Sequence, residues 1–99
     1  MLKYFYTYIL ECSDKSYYTG ITDDIERRLI EHNSDGFPKS YCHERRPVKI
    51  VFTEMFLQPE EAIAFEKQIK GWSRKKKEAL IEKNYERLKE LAVCKNETS

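Results

Sequence analysis

The 99-residue sequence predicts an α+β domain: a three-stranded antiparallel sheet in β-β-α-β-α-α order, covered by helices. Three observations carry this. Aromatic and β-branched residues concentrate in three short runs; apolar residues recur at helical spacing elsewhere; turn residues separate the two patterns. "LKYFYTYILEC" reads as a strand over roughly residues 3–12. Tyr4, Tyr6, Tyr8 and Leu10 alternate there with Phe5, Thr7 and Ile9, so both faces are apolar enough to be covered. "SDKS" supplies a turn, and "YYTGIT" completes a hairpin. A first helix should start at Thr22 or Asp23, with Asp23 and Glu26 at capping-box spacing and Ile25 and Leu29 as apolar anchors. "NSDGFPKS" is a loop, and "PVKIVFTEMF", about 47–56, is the third strand. "QPEEAIAFEKQIKGW" is a second helix, with Pro59 at its first position and Gly71 ending or bending it. From Ser73 as N-cap, "SRKKKEALIEKNYERLKELA" forms one helix or two short ones. Residues 1–93 read as one domain and 94–99, "CKNETS", as a flexible polar tail.

Composition narrows the function. At 40% hydrophobic and 13% aromatic, the chain can build one modest core. Eighteen basic against 17 acidic residues leave a net charge of +1, which excludes a polyelectrolyte but not local patches. No run approaches the ~18 apolar residues of a membrane span, and the N-terminus lacks the order of a signal peptide. Cys12, Cys42 and Cys94 are odd in number and widely spread, which suits unpaired thiols in the cytoplasm. Cys42-His43 is the one adjacent pair of zinc-ligating types, and nothing repeats at ligand spacing, so no zinc site is expected; neither histidine has a partner that the sequence places, so no Cys nucleophile is expected either.

Several charged residues fall where apolar ones belong. Ile25, Arg28, Leu29 and His32 share the i, i+3, i+4, i+7 spacing of a buried stripe, with Arg28 at its border and His32 within it. Glu66 sits in the same way among Ala62, Phe65 and Ile69. A buried unpaired charge is costly, so each needs a partner or a ligand. A structural account pairs Arg28 with Glu66 and leaves His32 hydrogen-bonded at the rim. A functional account brings them into one cleft with tyrosines from the hairpin, where Tyr4, Tyr6, Tyr8, Tyr17 and Tyr18 crowd together. Arginine, histidine, carboxylate and phenol are an inventory for handling a phosphodiester. Gly20 would let the backbone approach a ligand closely.

These residues resemble the GIY-YIG nuclease superfamily. "TYIL", "YYTGIT" and "RRLIEH", followed by a glutamate on a later helix, carry the likeness. Thr7-Tyr8 stands for the end of the first signature, Tyr18-Thr19-Gly20 for the second, and Arg28 holds its place ten residues after Tyr18. The chain is similar to short single-domain members over about residues 3–82. The resemblance implies a metal-dependent endonuclease, acting on DNA, in repair or recombination. It makes Tyr8 and Tyr18 the paired tyrosines, with Tyr8 as general base. Arg28 steadies the phosphate, His32 lies where the family has histidine or tyrosine, and Glu66 is the ligand of a single Mg²⁺ or Mn²⁺. Several family enzymes carry a lysine shortly after the second glycine, where this chain has Ile21-Thr22.

Basic residues mark an expected nucleic-acid surface. "KQIKGWSRKKK" holds Lys67, Lys70, Arg74, Lys75, Lys76 and Lys77 with Trp72 among them and no acid. Cations interleaved with an aromatic suit a backbone-tracking groove with a stacking platform. Arg27 on the first helix, and Arg45 and Arg46 beside Tyr41 before the third strand, extend the set. Two further readings share this inventory. One is a nucleic-acid-binding module that keeps the fold without turnover; the other is a nuclease core that a protein partner directs to its substrate.

Overall fold

The computed structural model describes residues 3–34 and 40–97, with side chains as far as residue 91. The order is β1 (Phe5–Glu11), β2 (Tyr17–Thr22), α1 (Ile25–Asn33), a short 3-10 turn (His43–Arg45), β3 (Lys49–Phe56), α2 (Pro59–Lys70), α3 (Arg74–Ile81) and α4 (Tyr85–Glu97). The sheet is antiparallel in the order β2-β1-β3, so β1 is central. This is the expected α+β architecture, with the last helical stretch divided in two.

Alternation along β1 divides the core. Tyr8, Leu10 and Cys12 join Cys42 and Val48 in one buried cluster, with Tyr18, Ile25, Leu29 and Ile50 packed against it. Ile9 joins Phe52, Ile69 and Leu80 in the other, with Phe65, Trp72 and Leu88 alongside. Helix α1 therefore covers one face of the sheet, and the C-terminal helices cover the other. The Thr7 hydroxyl donates to the Ala62 carbonyl at 2.9 Å, tying β1 to α2 on the second face. Where Ile9 pairs with Phe52 but Leu10 with Ile50, β3 carries a bulge at Val51. Val51 and Phe52 consequently pack into the same cluster although they are neighbours in the chain.

Local chemistry sets the helix ends. Asp24, not Asp23, caps α1: its carboxylate accepts from the Arg27 amide at 3.0 Å. The Thr22 hydroxyl accepts from the Asp24 amide and fixes that turn, while Asp23 turns outward to Lys3 and Arg27. Ser73 caps α3 as expected, accepting from Lys76 N–H. Helix α3 ends because Lys83 adopts φ 57°, and the Asn84 and Lys83 amides return to the Ala79 and Leu80 carbonyls. Asn84 then caps α4 through the Arg87 amide. Helix α4 runs on to Glu97, so residues 94–97, expected as flexible tail, are helical. Asn33 belongs to α1 rather than to the loop after it, and residues 35–39 of that loop lie outside the described range. Among the described residues, no helix is long and apolar enough to cross a membrane.

Candidate active site

Register brings the signature residues together. Tyr8 stands opposite Gly20, and Leu10 opposite Tyr18, so all four point to the α1 face. Helix α1 then delivers His32 onto the same spot. The Tyr8 hydroxyl lies 3.0 Å from His32 Nε2, and the Tyr18 and His32 rings meet edge-on with centroids 5.2 Å apart. Tyr8 and Tyr18 are 6.4 Å apart. Gly20 has a different role from the one expected. A Cβ there would fall 2.5 Å from the Tyr8 hydroxyl and 2.7 Å from its Cζ. The glycine makes room for the phenol of this chain.

Burial controls the titration of this group. Tyr8 is 2% exposed. Burial, then the neighbouring Tyr18, push its phenol well above the usual tyrosine range, against the opposing charge of Arg28. Burial, then the Arg28 guanidinium, lower the His32 pKa, so its imidazole is neutral near pH 7. Arg28 thus acts electrostatically on both members of the pair. Its own Nε lies 3.5 Å from Glu31, its neighbour on α1. The pairing of Arg28 with Glu66 that the sequence allowed is not the one formed.

Glu66 is held by a different partner. Lys70, one turn further along α2, places its ammonium 2.6 Å from Glu66 Oε2. The contact with Glu66 raises the Lys70 pKa, and Tyr18 is near enough to add to the shift. Helix α2 itself packs against β2, the strand that carries Tyr18. Among the described residues, no group of three or more His, Cys, Asp or Glu side chains gathers to hold a metal. A single carboxylate still suits a hard ion that keeps most of its shell as water and phosphate oxygen. The Glu66 carboxylate, recessed at 14% exposure, already accommodates one cation in the Lys70 ammonium, so the donor present fits such an ion.

The segment before β3 forms a rim. Tyr41 stacks on Tyr18 with an interplanar angle of 20°, and the Arg45 guanidinium lies 3.9 Å from the Tyr41 ring centroid. Arg45 is fixed by Asp14 at 3.1 Å and by the Tyr41 carbonyl at 2.7 Å. Hydrogen bonds from Ser16, then Arg45, hold the Asp14 carboxyl below the usual range. Cys12 and Cys42 sit beneath this rim as free buried thiols with sulfurs 4.0 Å apart. Burial, then Cys12, push the Cys42 thiol up to about 12, which makes it a poor nucleophile.

The expected nucleic-acid residues separate into three groups. Lys70 is paired with Glu66 on α2, and Arg45 lies on Tyr41 beside Tyr18. Others are engaged locally: Arg27 with Asp23, Arg46 with the His43 and Ser34 carbonyls, and Arg74 with the Tyr17 ring and Glu78. Lys67 and Lys75 are exposed, and Lys77 is half-buried. Trp72 is not an open stacking platform. It packs against the second core cluster, and the Lys76 ammonium lies 4.4 Å from its ring centroid. Sequence reasoning had no signal for that burial. It also missed Lys70 as the partner of Glu66, although their i, i+4 spacing carried one.

Known proteins resemble this chain over most of its length. The model of the GIY-YIG catalytic domain matches residues 4–79, and the chain belongs to that family, a family of nucleases. Within it, a UPF0213 protein of Syntrophus aciditrophicus (strain SB) is 51% identical over 83 residues, covering 84% of this chain and 95% of that protein. A UPF0213 protein of Haloquadratum walsbyi is 46% identical over 82 residues, 83% of this chain and 91% of that one. Two solution NMR structures share the fold. The UPF0213 protein BH0048 from Bacillus halodurans is 43% identical, with TM-score 0.53 over 80% of this chain and 83% of that one. Protein EF2693 from E. faecalis is 40% identical, with TM-score 0.59 over 84% and 88%.

Proposed function

We propose that this domain is an endonuclease that hydrolyses a nucleic-acid phosphodiester, with DNA as substrate. The observation that carries the reading is the convergence of Tyr8, Tyr18, Gly20 and His32, under the charge of Arg28, in a domain of a nuclease family. Burial favours a division of labour different from the one first expected. Tyr8 is too enclosed to be the residue that meets water, and its raised pKa opposes a tyrosinate. Tyr18 is half-buried and carries a hydroxyl that both donates and accepts. It orients the attacking water, accepting a proton from it while passing its own hydroxyl proton to bulk solvent, so the phenol ends neutral. Tyr8 and His32 form the buried hydrogen-bonded pair behind it. Arg28 stabilises the negative charge that builds on the phosphate as the water oxygen bonds to phosphorus and the P–O bond breaks. Glu66 would hold a Mg²⁺ or Mn²⁺, which supplies Lewis-acid polarisation of the phosphate when bound.

Metal-dependent nicking of plasmid DNA tests this. Tyr18→Phe, Arg28→Ala and Glu66→Ala should each lower the rate on the order of 10²–10³ with the fold retained by circular dichroism. Unchanged nicking in Arg28→Ala and Glu66→Ala refutes the site.

One observation favours the second reading, a binding module without turnover. The carboxylate expected to hold the metal is engaged by Lys70. That reading predicts DNA binding with a steep salt dependence, no nicking, and no shift of resonances around Glu66 when Mg²⁺ is added. A role in repair or recombination and a partner that directs the domain to its substrate extend the proposal, and the unpaired thiols support a cytoplasmic location within it.

A further inference from the structure

Helix α2 sets Glu66 and Lys70 on successive turns, with Nζ 2.6 Å from Oε2. The two side chains differ in exposure: 14% for Glu66 and 54% for Lys70. The carboxylate is recessed and the ammonium lies over it from the solvent side. An ion binding that oxygen at the ~2.0–2.1 Å of a magnesium ligand would stand within a few ångströms of the ammonium, with like charge and the same acceptor. Their like charges repel at that separation, so each weakens the other's hold on the carboxylate. Other cations are less suited to the place. Arg74 is committed to Tyr17 and Glu78, and Lys67, adjacent to Glu66 in the helix, projects from a different side.

We propose that Lys70 is an internal counter-ion that occupies the Glu66 carboxylate until a divalent cation displaces it, and that the freed ammonium then binds a substrate phosphate. This rests on the reading of Glu66 as the metal ligand. Lys70 is a flexible point charge on a four-carbon stem, so it can leave the carboxylate without any movement of the helix. Helix α2 packs against β2, the strand that carries Tyr18, so the released charge stays on that side of the domain. Metal binding and phosphate binding are thereby linked, because one frees the cation that the other uses. The device also keeps the recessed carboxylate paired while no ion is bound.

Titration with Mn²⁺, reading free ion by electron paramagnetic resonance, tests this without any need for turnover. Lys70→Met keeps the apolar stem and removes the charge. It should bind Mn²⁺ about tenfold more tightly than the unaltered protein, whereas Lys70→Arg, which keeps the charge, should not. Glu66→Gln should lose the site. In the metal-saturated state, Lys70→Met should weaken DNA binding and lower its salt slope by about one. Equal Mn²⁺ affinity in Lys70→Met and the unaltered protein, with the site lost in Glu66→Gln, overturns the counter-ion and leaves the ligand assignment standing. Tightening in Lys70→Arg as large as in Lys70→Met also overturns it, since charge would then not be the cause. Undiminished Mn²⁺ binding in Glu66→Gln overturns the ligand assignment, and the counter-ion with it.

Discussion

On the α1 face, strand β1 contributes Tyr8 and Leu10, with Cys12 just beyond its end; on the opposite face the same strand contributes Thr7 and Ile9. The second face is made in the usual way of a small domain. Ile9, Phe52, Ile69 and Leu80 interlock there; of its two buried hydroxyls, that of Thr7 is answered by the Ala62 carbonyl and that of Thr19, opposite Ile9, has no hydrogen-bond partner among the described residues. The first face buries a phenol, an imidazole and two thiols among its apolar residues. Buried polar groups cost free energy that apolar residues of equal volume would not. In a domain of 99 residues that cost is a substantial share of the margin. One face holds the fold together, and the other holds reactive groups at fixed positions.

Substitutions on the two faces should therefore fail in different ways. The largest effect is expected on the apolar side. Ile69→Ala removes a side chain with 0% exposure and should lower stability by about 2–5 kcal/mol in urea titration. Nicking per folded molecule should be unchanged at temperatures where the variant is folded. An equal loss of specific activity would mean that the faces are not separable.

Tyr8→Phe should do the reverse. Phenylalanine fills the same space but leaves His32 Nε2 without the hydroxyl at 3.0 Å. A lost buried hydrogen bond of ~1–3 kcal/mol corresponds to about a 10- to 100-fold lower rate if the pair positions Tyr18. The pH–rate profile should shift as well, because the environment of His32 changes. A fall in stability alone, with rate and profile retained, would make Tyr8 an ordinary core residue.

The smallest effect concerns pH. His32 has a lowered pKa in the folded protein, so below the ordinary ~6.5 the unfolded chain binds a proton that the folded one does not. The stability from neutral, buried His32 is complete above about pH 6.5 and is lost as pH falls through the folded value. Asp14 and Asp23 also have lowered pKa values, but their contributions disappear only in the carboxylate range, below about pH 4. His32→Leu should flatten the stability curve between those ranges and leave the acid limb in place. Denaturant midpoints measured from pH 4.5 to 7.5 would show it; an undiminished slope in the variant would place the titration elsewhere.

Much of this division was legible in the sequence, residue by residue. Alternation in "YTYIL" separates Tyr8 from Ile9 without coordinates, and the seven-residue spacing of Ile25 and His32 puts the histidine on the covered side of α1. What was not legible depended on contacts between distant segments. Trp72 reads as a surface aromatic in a basic run, yet α2 and α3 fold it against the core, and no local pattern reports that. The capping residue was misplaced by one position because the Thr22 hydroxyl, invisible as a competitor in the sequence, takes the Asp24 amide. Glu66 was singled out correctly as a carboxylate in an apolar sector, but its partner was sought across the domain when it lay one turn away.

The glycine of "YTG" has a consequence that reaches past this chain. Its φ is not in the left-handed region, so its backbone does not require glycine. What requires it is the phenol lying across β2, which any larger residue would meet at 2.5 Å. With ~3.5 Å needed for ordinary contact, even a methyl group would displace Tyr8 by about 1 Å and take its hydroxyl off His32. The two halves of the family's signature are therefore a mould and its casting: the absent side chain on one strand records the shape of the ring on the other. Neither half should be able to drift alone, and a relative that has lost the glycine should be found to have lost or shrunk the tyrosine as well.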